Sequence, residues 1–275
     1  MNPVSAFFPF SLVLPNMPGV ALELMRSLND DNLSLNDLAN VIGKDPALSA
    51  TVLRVANTAR YSPLRSISSL REATATMGLV TLRNLAMASS VARSFPAVPG
   101  LDRRRFWRRG LACAHYAGLL ARPALVDPEV AYLGGLMLQT GQLLMMQVER
   151  EGVALIESSV ARPGDRFLLE QARFGCSHAD VTAELARRWK FPDALLQAFS
   201  TAARPLEARP FQPMGAVLHL AVLLADAMDM GLPAADCLDA LAPQLVGHFK
   251  LNLDWLADRA LSAADLDAEV DGMMA

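Results

Sequence analysis

Cysteine is scarce in this chain, with only Cys113, Cys176 and Cys237 among 275 residues. They are odd in number, widely spaced and free of any CxxC or Cys/His ligand pattern, which excludes a disulfide framework and a zinc-finger-type site. They read as reduced core thiols of a cytoplasmic protein. An excess of positive charge is also missing. With 25 Lys and Arg against 28 Asp and Glu, the net charge is −3 and the pI is near 5.8, so no global field draws the chain to nucleic acid or to an anionic membrane. A membrane-length apolar run is lacking too. The most apolar stretch, Met214 to Leu232, is interrupted by His219, Asp226 and Asp229, which argues against a span. The apolar N-terminus around Phe7, Phe8 and Phe10 has no basic flank and is broken by Pro3 and Pro9, unlike a signal peptide. Strand-like alternation, internal repeats and low-complexity segments are absent as well.

What the chain does contain is apolar periodicity of helical type, with 52% hydrophobic residues, ample for a buried core. Val20, Leu24 and Leu28 fall on one face with Ala21 and Met25, the spacing of an amphipathic helix. Ser34 and Asp37 have capping-box spacing, as do Ser69 and Glu72. Asp45 before Pro46 places a cap acceptor ahead of a first-turn proline, where the missing N–H is harmless. That helix is expected to bury Leu48, Val52 and Val55 and to end near Asn57. Gly78 reads as a stop before a helix from about Val80 to Phe95. Further helices are predicted over 102–121, 128–138, 142–158, 165–174, 177–189, 193–202 and 213–230, with 204–210 as a linker. Pro96-Ala97-Val98-Pro99-Gly100 is the clearest break. The expectation is an all-α, multi-helix bundle divided into an N-terminal helical subdomain, 1–96, and a second helical subdomain, 101–275.

Several stretches together resemble the HDOD family, the HD-related output domain of bacterial signalling proteins. They are Leu14-Pro15-Asn16-Met17-Pro18, then Asp45-Pro46-Ala47-Leu48-Ser49 with Leu53-Arg54-Val55-Ala56-Asn57, then Ile67-Ser68-Ser69-Leu70 and Met77-Gly78-Leu79-Val80-Thr81-Leu82-Arg83. Within them Pro15, Pro18, Asp45, Pro46, Asn57, Ser68, Gly78 and Arg83 are read as structural positions of the family motif. Asn57 and Arg83 are expected to bond a loop or a helix terminus rather than a ligand. The resemblance implies that the second subdomain is a degenerate relative of the HD metal-dependent phosphohydrolases. In those enzymes an adjacent His and Asp bind a divalent metal that activates water at a phosphate. Here Gly134-Gly135-Leu136-Met137-Leu138-Gln139-Thr140-Gly141 carries Leu138 and Gln139 in their place. Leucine has no lone pair to offer, and a neutral amide competes poorly for a hard cation.

By the same resemblance the first metal histidine matches Arg109, His178 is retained, and the last acidic ligand falls near Val222. A catalytic metal needs about three protein ligands, so neither metal nor cofactor is expected, and residual hydrolysis ranks third among the functions, ahead only of direct nucleic-acid binding. His178 is expected to be an imidazole at a helix start, bonded to a neighbouring carboxylate or backbone group. Arg109, Leu138, Gln139 and His178 line the vestigial cavity, which either is filled by Leu138, Met137, Met145 and Met146 or forms a site for a small anion such as a nucleotide. Arg103, Arg104, Arg105 and Arg108 crowd two helical turns with Asp102 as the near acid. Their charge calls for the acidic C-terminal region, with Asp254, Asp258, Asp265, Asp267, Glu269 and Asp271, or for an acidic partner or a phosphate. The leading expectation is a cytoplasmic, non-catalytic signal-transduction module that binds signalling or regulatory proteins. A nucleotide sensor is the alternative. Direct nucleic-acid binding is disfavoured, since Arg54, Arg60 and Arg65 are too few.

Overall fold

A computed structural model describes residues 2–10, 12–29, 32–58, 60–62, 66–259 and 261–274. Arg65 lies outside them. Among the described residues the secondary structure is helical, with no strand, as the periodicity predicts. No helix among them is long and apolar enough to cross a membrane.

The chain forms two compact units, and a single cut does not separate them. One comprises 15–97, 102–108 and 262–275, and the other 1–14, 98–101 and 109–261. The expected division into 1–96 and 101–275 therefore misassigns both ends, because the segments that close each core come from distant parts of the sequence. No local periodicity carries that information.

The first unit gathers the helices Gly19–Arg26, Leu35–Gly43, Pro46–Ala56, Leu70–Met77 and Leu79–Ser94, and the C-terminal helix Ala263–Met274. Its starts are set as the sequence predicts. Ser34 and Asp37 form a reciprocal capping box, and Asp45 Oδ1 accepts from the N–H groups of Ala47 and Leu48, both at 3.0 Å. Ser69 caps the N–H of Glu72, while the Glu72 carboxylate reaches further back, to Ser68 N at 2.8 Å. Pro18 precedes the helix that buries Ala21 and Leu24. Gly78, at φ +80°, turns the chain between two helices in a conformation that side chains rarely adopt.

Asn57 holds the loop after its helix rather than merely ending that helix. Its amide donates to Leu53 O at 2.7 Å and to Ile67 O at 2.8 Å, and its oxygen accepts from Ile67 N at 2.7 Å. Arg83 is buried and donates to Ser27 O at 2.7 Å, which satisfies a carbonyl beyond the end of the first helix. The C-terminal helix belongs to this core through Leu266, Val270 and Met273. Burying three such side chains contributes roughly 5–9 kcal/mol as an upper figure.

The second unit packs Pro128–Leu138, Thr140–Val148, His178–Arg188, Asp193–Ala202 and Pro213–Asp229 around Leu133, Leu144, Leu185, Phe199 and Leu220. The helix expected over 142–158 is two, Thr140–Val148 and Arg150–Ser159, since Glu149 leaves helical geometry at φ −127°, ψ 53°. Gly135 and Gly141 allow helices to touch backbone to backbone. A Cβ on Gly135 would lie 2.7 Å from Cys113 O, and one on Gly141 would overlap His178 O.

Candidate functional site

The helices of the second unit bring Arg109, Gln139 and His178 into its interior, each at most 4% exposed, with Leu138 fully buried. Arg109 points inward, and the chain itself supplies the groups it needs. Its Nε donates to Gln139 Oε1 and its Nη2 to Gln142 Oε1, both at 2.6 Å, and Nε lies 3.9 Å from Asp226 Oδ1. Two neutral amide oxygens and one carboxylate thus surround the cation that stands where the resemblance places a metal ligand.

Asp226 is the hub of this network. It is 1% exposed; Arg166 Nη1 reaches its Oδ1 at 3.0 Å, and the N–H of Gly164 donates to its Oδ2 at 3.0 Å. Arg166 in turn forks onto Glu157, with Nε–Oε1 at 2.5 Å and Nη2–Oε2 at 2.8 Å, the bidentate geometry that makes such pairs strong. Burial lowers the pKa of both guanidiniums, but Arg166 is carried above its ordinary value by its bonds to Glu157 and the nearby Asp226. Arg109 stays lowered by burial and by the charge of Arg166. Glu157 feels burial first, which raises its pKa, yet the bonds and charge of Arg166 hold it below the usual carboxylate value.

His178 meets the expected carboxylate, Glu170, whose Oε2 accepts from His178 N at 2.7 Å and lies 2.6 Å from its Nδ1. One imidazole face stacks on Phe167 at 4.8 Å between centroids. The Leu138 carbonyl accepts from Thr182 Oγ1 at 2.7 Å, which itself accepts from Gly141 N at 2.9 Å, so this stretch is fixed by backbone as well as by side chains. Two buried nitrogens, Gln142 Nε2 and His178 Nε2, have no hydrogen-bond partner among the described residues. Clefts of about 270, 370 and 580 Å³ open elsewhere on the unit, and none of the four vestigial-cavity residues lines them.

Could this network hold a metal? Among the described residues, no three His, Cys, Asp or Glu side chains converge as a ligand set. Asp226 is engaged by arginine, Glu170 by His178, and the positions flanking them carry Leu138, Gln139 and Arg109. A dication would have to enter beside two guanidinium groups, against Coulomb repulsion that low interior permittivity strengthens.

Sequence reasoning placed the last acidic position near Val222 and missed Asp226, one helical turn on. The signal was an acid on the buried face of a largely apolar helix, 12 of whose residues are buried. It also missed Gln142, Glu157, Arg166 and Glu170, which show no distinguishing spacing.

The arginine cluster lies in the other unit. Arg104 pairs with Asp271, Nε–Oδ1 at 2.6 Å, and with Asp267 at 3.4 Å; Arg108 reaches Asp267 at 3.5 Å, and Arg103 donates to Ala92 O at 2.8 Å. Asp102 Oδ1 accepts from Arg105 N at 3.0 Å, capping the helix start. Of the alternatives open from sequence, the acidic C-terminal region is the one that meets Arg104 and Arg108. Around Arg104 and Arg108 the surface is therefore of mixed sign.

The HDOD domain pattern matches residues 14–205. An uncharacterised protein of Treponema pallidum (strain Nichols) is 25% identical over 186 residues, covering 66% of this chain but 36% of that protein, so the chain spans about a third of the length of this relative. Among solved structures, a protein of Shewanella amazonensis SB2B named provisionally as a phosphohydrolase is 28% identical, with TM-score 0.74 and 95% of each chain covered. An HDOD domain protein with unknown function from Geobacter sulfurreducens gives 23% identity, TM-score 0.72 and coverage of 99% and 97%. A Marinobacter aquaeolei VT8 protein named provisionally for signal transduction gives 22%, 0.75, and coverage of 98% of this chain and 63% of that one.

Proposed function

The chain belongs to the HDOD domain family, and from that premise we propose that it is a non-catalytic signalling module that works by binding another protein. One observation carries this reading: the interior position that the HD resemblance assigns to a metal ligand holds Arg109, hydrogen-bonded by Gln139 and Gln142 and faced by the Asp226 carboxylate. Without ligands there is no Lewis acid to activate water, and a scaffold without that chemistry acts through its surface.

The test has two arms. Purified protein equilibrated with Mn²⁺ or Fe²⁺ and desalted is expected to retain no stoichiometric metal and to leave bis(p-nitrophenyl) phosphate intact. The combined variant Arg109→His, Leu138→His, Gln139→Asp, which restores donors beside His178 and Asp226, is expected to gain bound metal. Metal-dependent turnover by the unaltered chain, lost in Asp226→Asn, would overturn the reading. In the second arm, affinity capture from a bacterial lysate is expected to retain a signalling enzyme or regulator in fixed proportion.

A second reading, a nucleotide sensor, is favoured by two buried nitrogens of this network, Gln142 Nε2 and His178 Nε2, that have no hydrogen-bond partner among the described residues. It predicts thermal stabilisation by a cyclic nucleotide, and Gln142→Leu should remove that stabilisation.

A further inference from the structure

The second unit has a cleft of about 370 Å³ between the 204–207 turn and the junction of the helices Ala234–Leu241 and Pro243–Phe249. This is within the range of small-molecule pockets. Its walls are mostly apolar, and two of its leucines, Leu206 and Leu241, are 46% and 39% exposed. Apolar side chains left in water around a concavity gain by being covered.

The polar groups in this cleft are few and different in kind. His219 lines it, and its Nδ1 lies 2.8 Å from the carbonyl of Ala202. A carbonyl only accepts, so Nδ1 carries the proton and Nε2 of the neutral ring is left as an acceptor. Burial lowers the pKa of this imidazole, which favours that neutral form. Arg204 stands at the rim, held by Glu207 at 3.5 Å with both side chains largely in solvent. An exposed pair of that length is easily exchanged for another anion. The ring of His219 also stacks on Phe167 at 5.9 Å, and Phe167 stacks on His178 at 4.8 Å, so the cleft is joined by packed rings to the buried network.

We propose that this cleft binds a small aromatic acid carrying a hydrogen-bond donor: its flat body against Leu206, Leu241 and Leu245, its donor on His219, its anionic group on Arg204. The site is separate from the vestigial HD cavity and does not depend on the reading given above.

Anilinonaphthalene sulfonate has these three features and reports its own burial by fluorescence. With the full chain, saturable one-to-one binding is expected. His219→Phe keeps a ring against Phe167 but removes the acceptor, and should weaken binding roughly fivefold to tenfold. Arg204→Gln should weaken it a few-fold, Leu206→Asp should abolish it, and Leu168→Asp, at an exposed leucine outside the cleft, should leave it unchanged. Thermal melts confirm that each variant is folded. If His219→Phe does not fold, the two rim variants, Arg204→Gln and Leu206→Asp, decide alone. Absence of saturable binding, or equal affinity in Leu206→Asp and the unaltered chain, overturns the proposal.

Discussion

Replacing Asp226 by asparagine changes one buried atom's chemistry and almost none of its volume. The two carboxylate oxygens face donors on both sides: Arg166 Nη1 at 3.0 Å and Arg109 Nε at 3.9 Å on Oδ1, and Gly164 N at 3.0 Å on Oδ2. An amide offers a single acceptor oxygen. Whichever way it turns, an NH₂ group is set against a donor, and the two guanidiniums lose their shared counter-charge at sites 5% and 4% exposed. Breaking one side of a buried ion pair costs about 3–5 kcal/mol, and the bonds of Arg109 to two glutamines and of Arg166 to Glu157 place the expected loss near the lower end. In a chain of this size that is a fall in Tm of about 10 °C. Urea unfolding followed by circular dichroism measures it. A double-mutant cycle with Arg166→Gln should give a combined loss smaller than the sum of the two single losses, because the partners share one interaction. An Asp226→Asn chain within about 1 kcal/mol of the unaltered one would refute the argument that this carboxylate anchors the network.

Gly141→Ala is expected to destabilise by about 3 kcal/mol or more, since its Cβ would meet the backbone carbonyl of His178, which has no rotamer to move away; chemical denaturation reads this directly. Asn57→Ala should cost about 2–3 kcal/mol through three lost bonds that tie Leu53 and Ile67 to one side chain, with hydrogen exchange rising first in the 66–68 segment. Glu157 has a folded pKa below its ordinary value of 4.5, so its contribution is present above that pH and is lost as pH falls through the lower, folded value. Acid titration of stability should therefore show a shallower decline below pH 4.5 in Glu157→Gln. Cys176 is 3% exposed, and burial, with Asp180 and Glu170 nearby, pushes its thiol up to about 12; alkylation at neutral pH is expected only after unfolding.

Most of the local structure was legible because its causes are local. Ser34, Asp45 and Ser69 cap helices through atoms two or three residues away, and the apolar faces that end in the core repeat at helical spacing. That His178 would sit at a helix start and bond a neighbouring carboxylate or backbone group also followed from local sequence, and Glu170 is the carboxylate it meets.

Tertiary structure alone decided what answers the buried cation and which segments close each core. Arg109 is met by Asp226 from 117 positions away along the chain, and Arg104 by Asp271 from 167 away. Such pairings depend on where helices cross, and helix crossings follow from packing over the whole unit rather than from the spacing of any one segment. The same reason explains the misplaced domain limits. Only the packing of Val270 and Met273 shows which core the helix Ala263–Met274 completes.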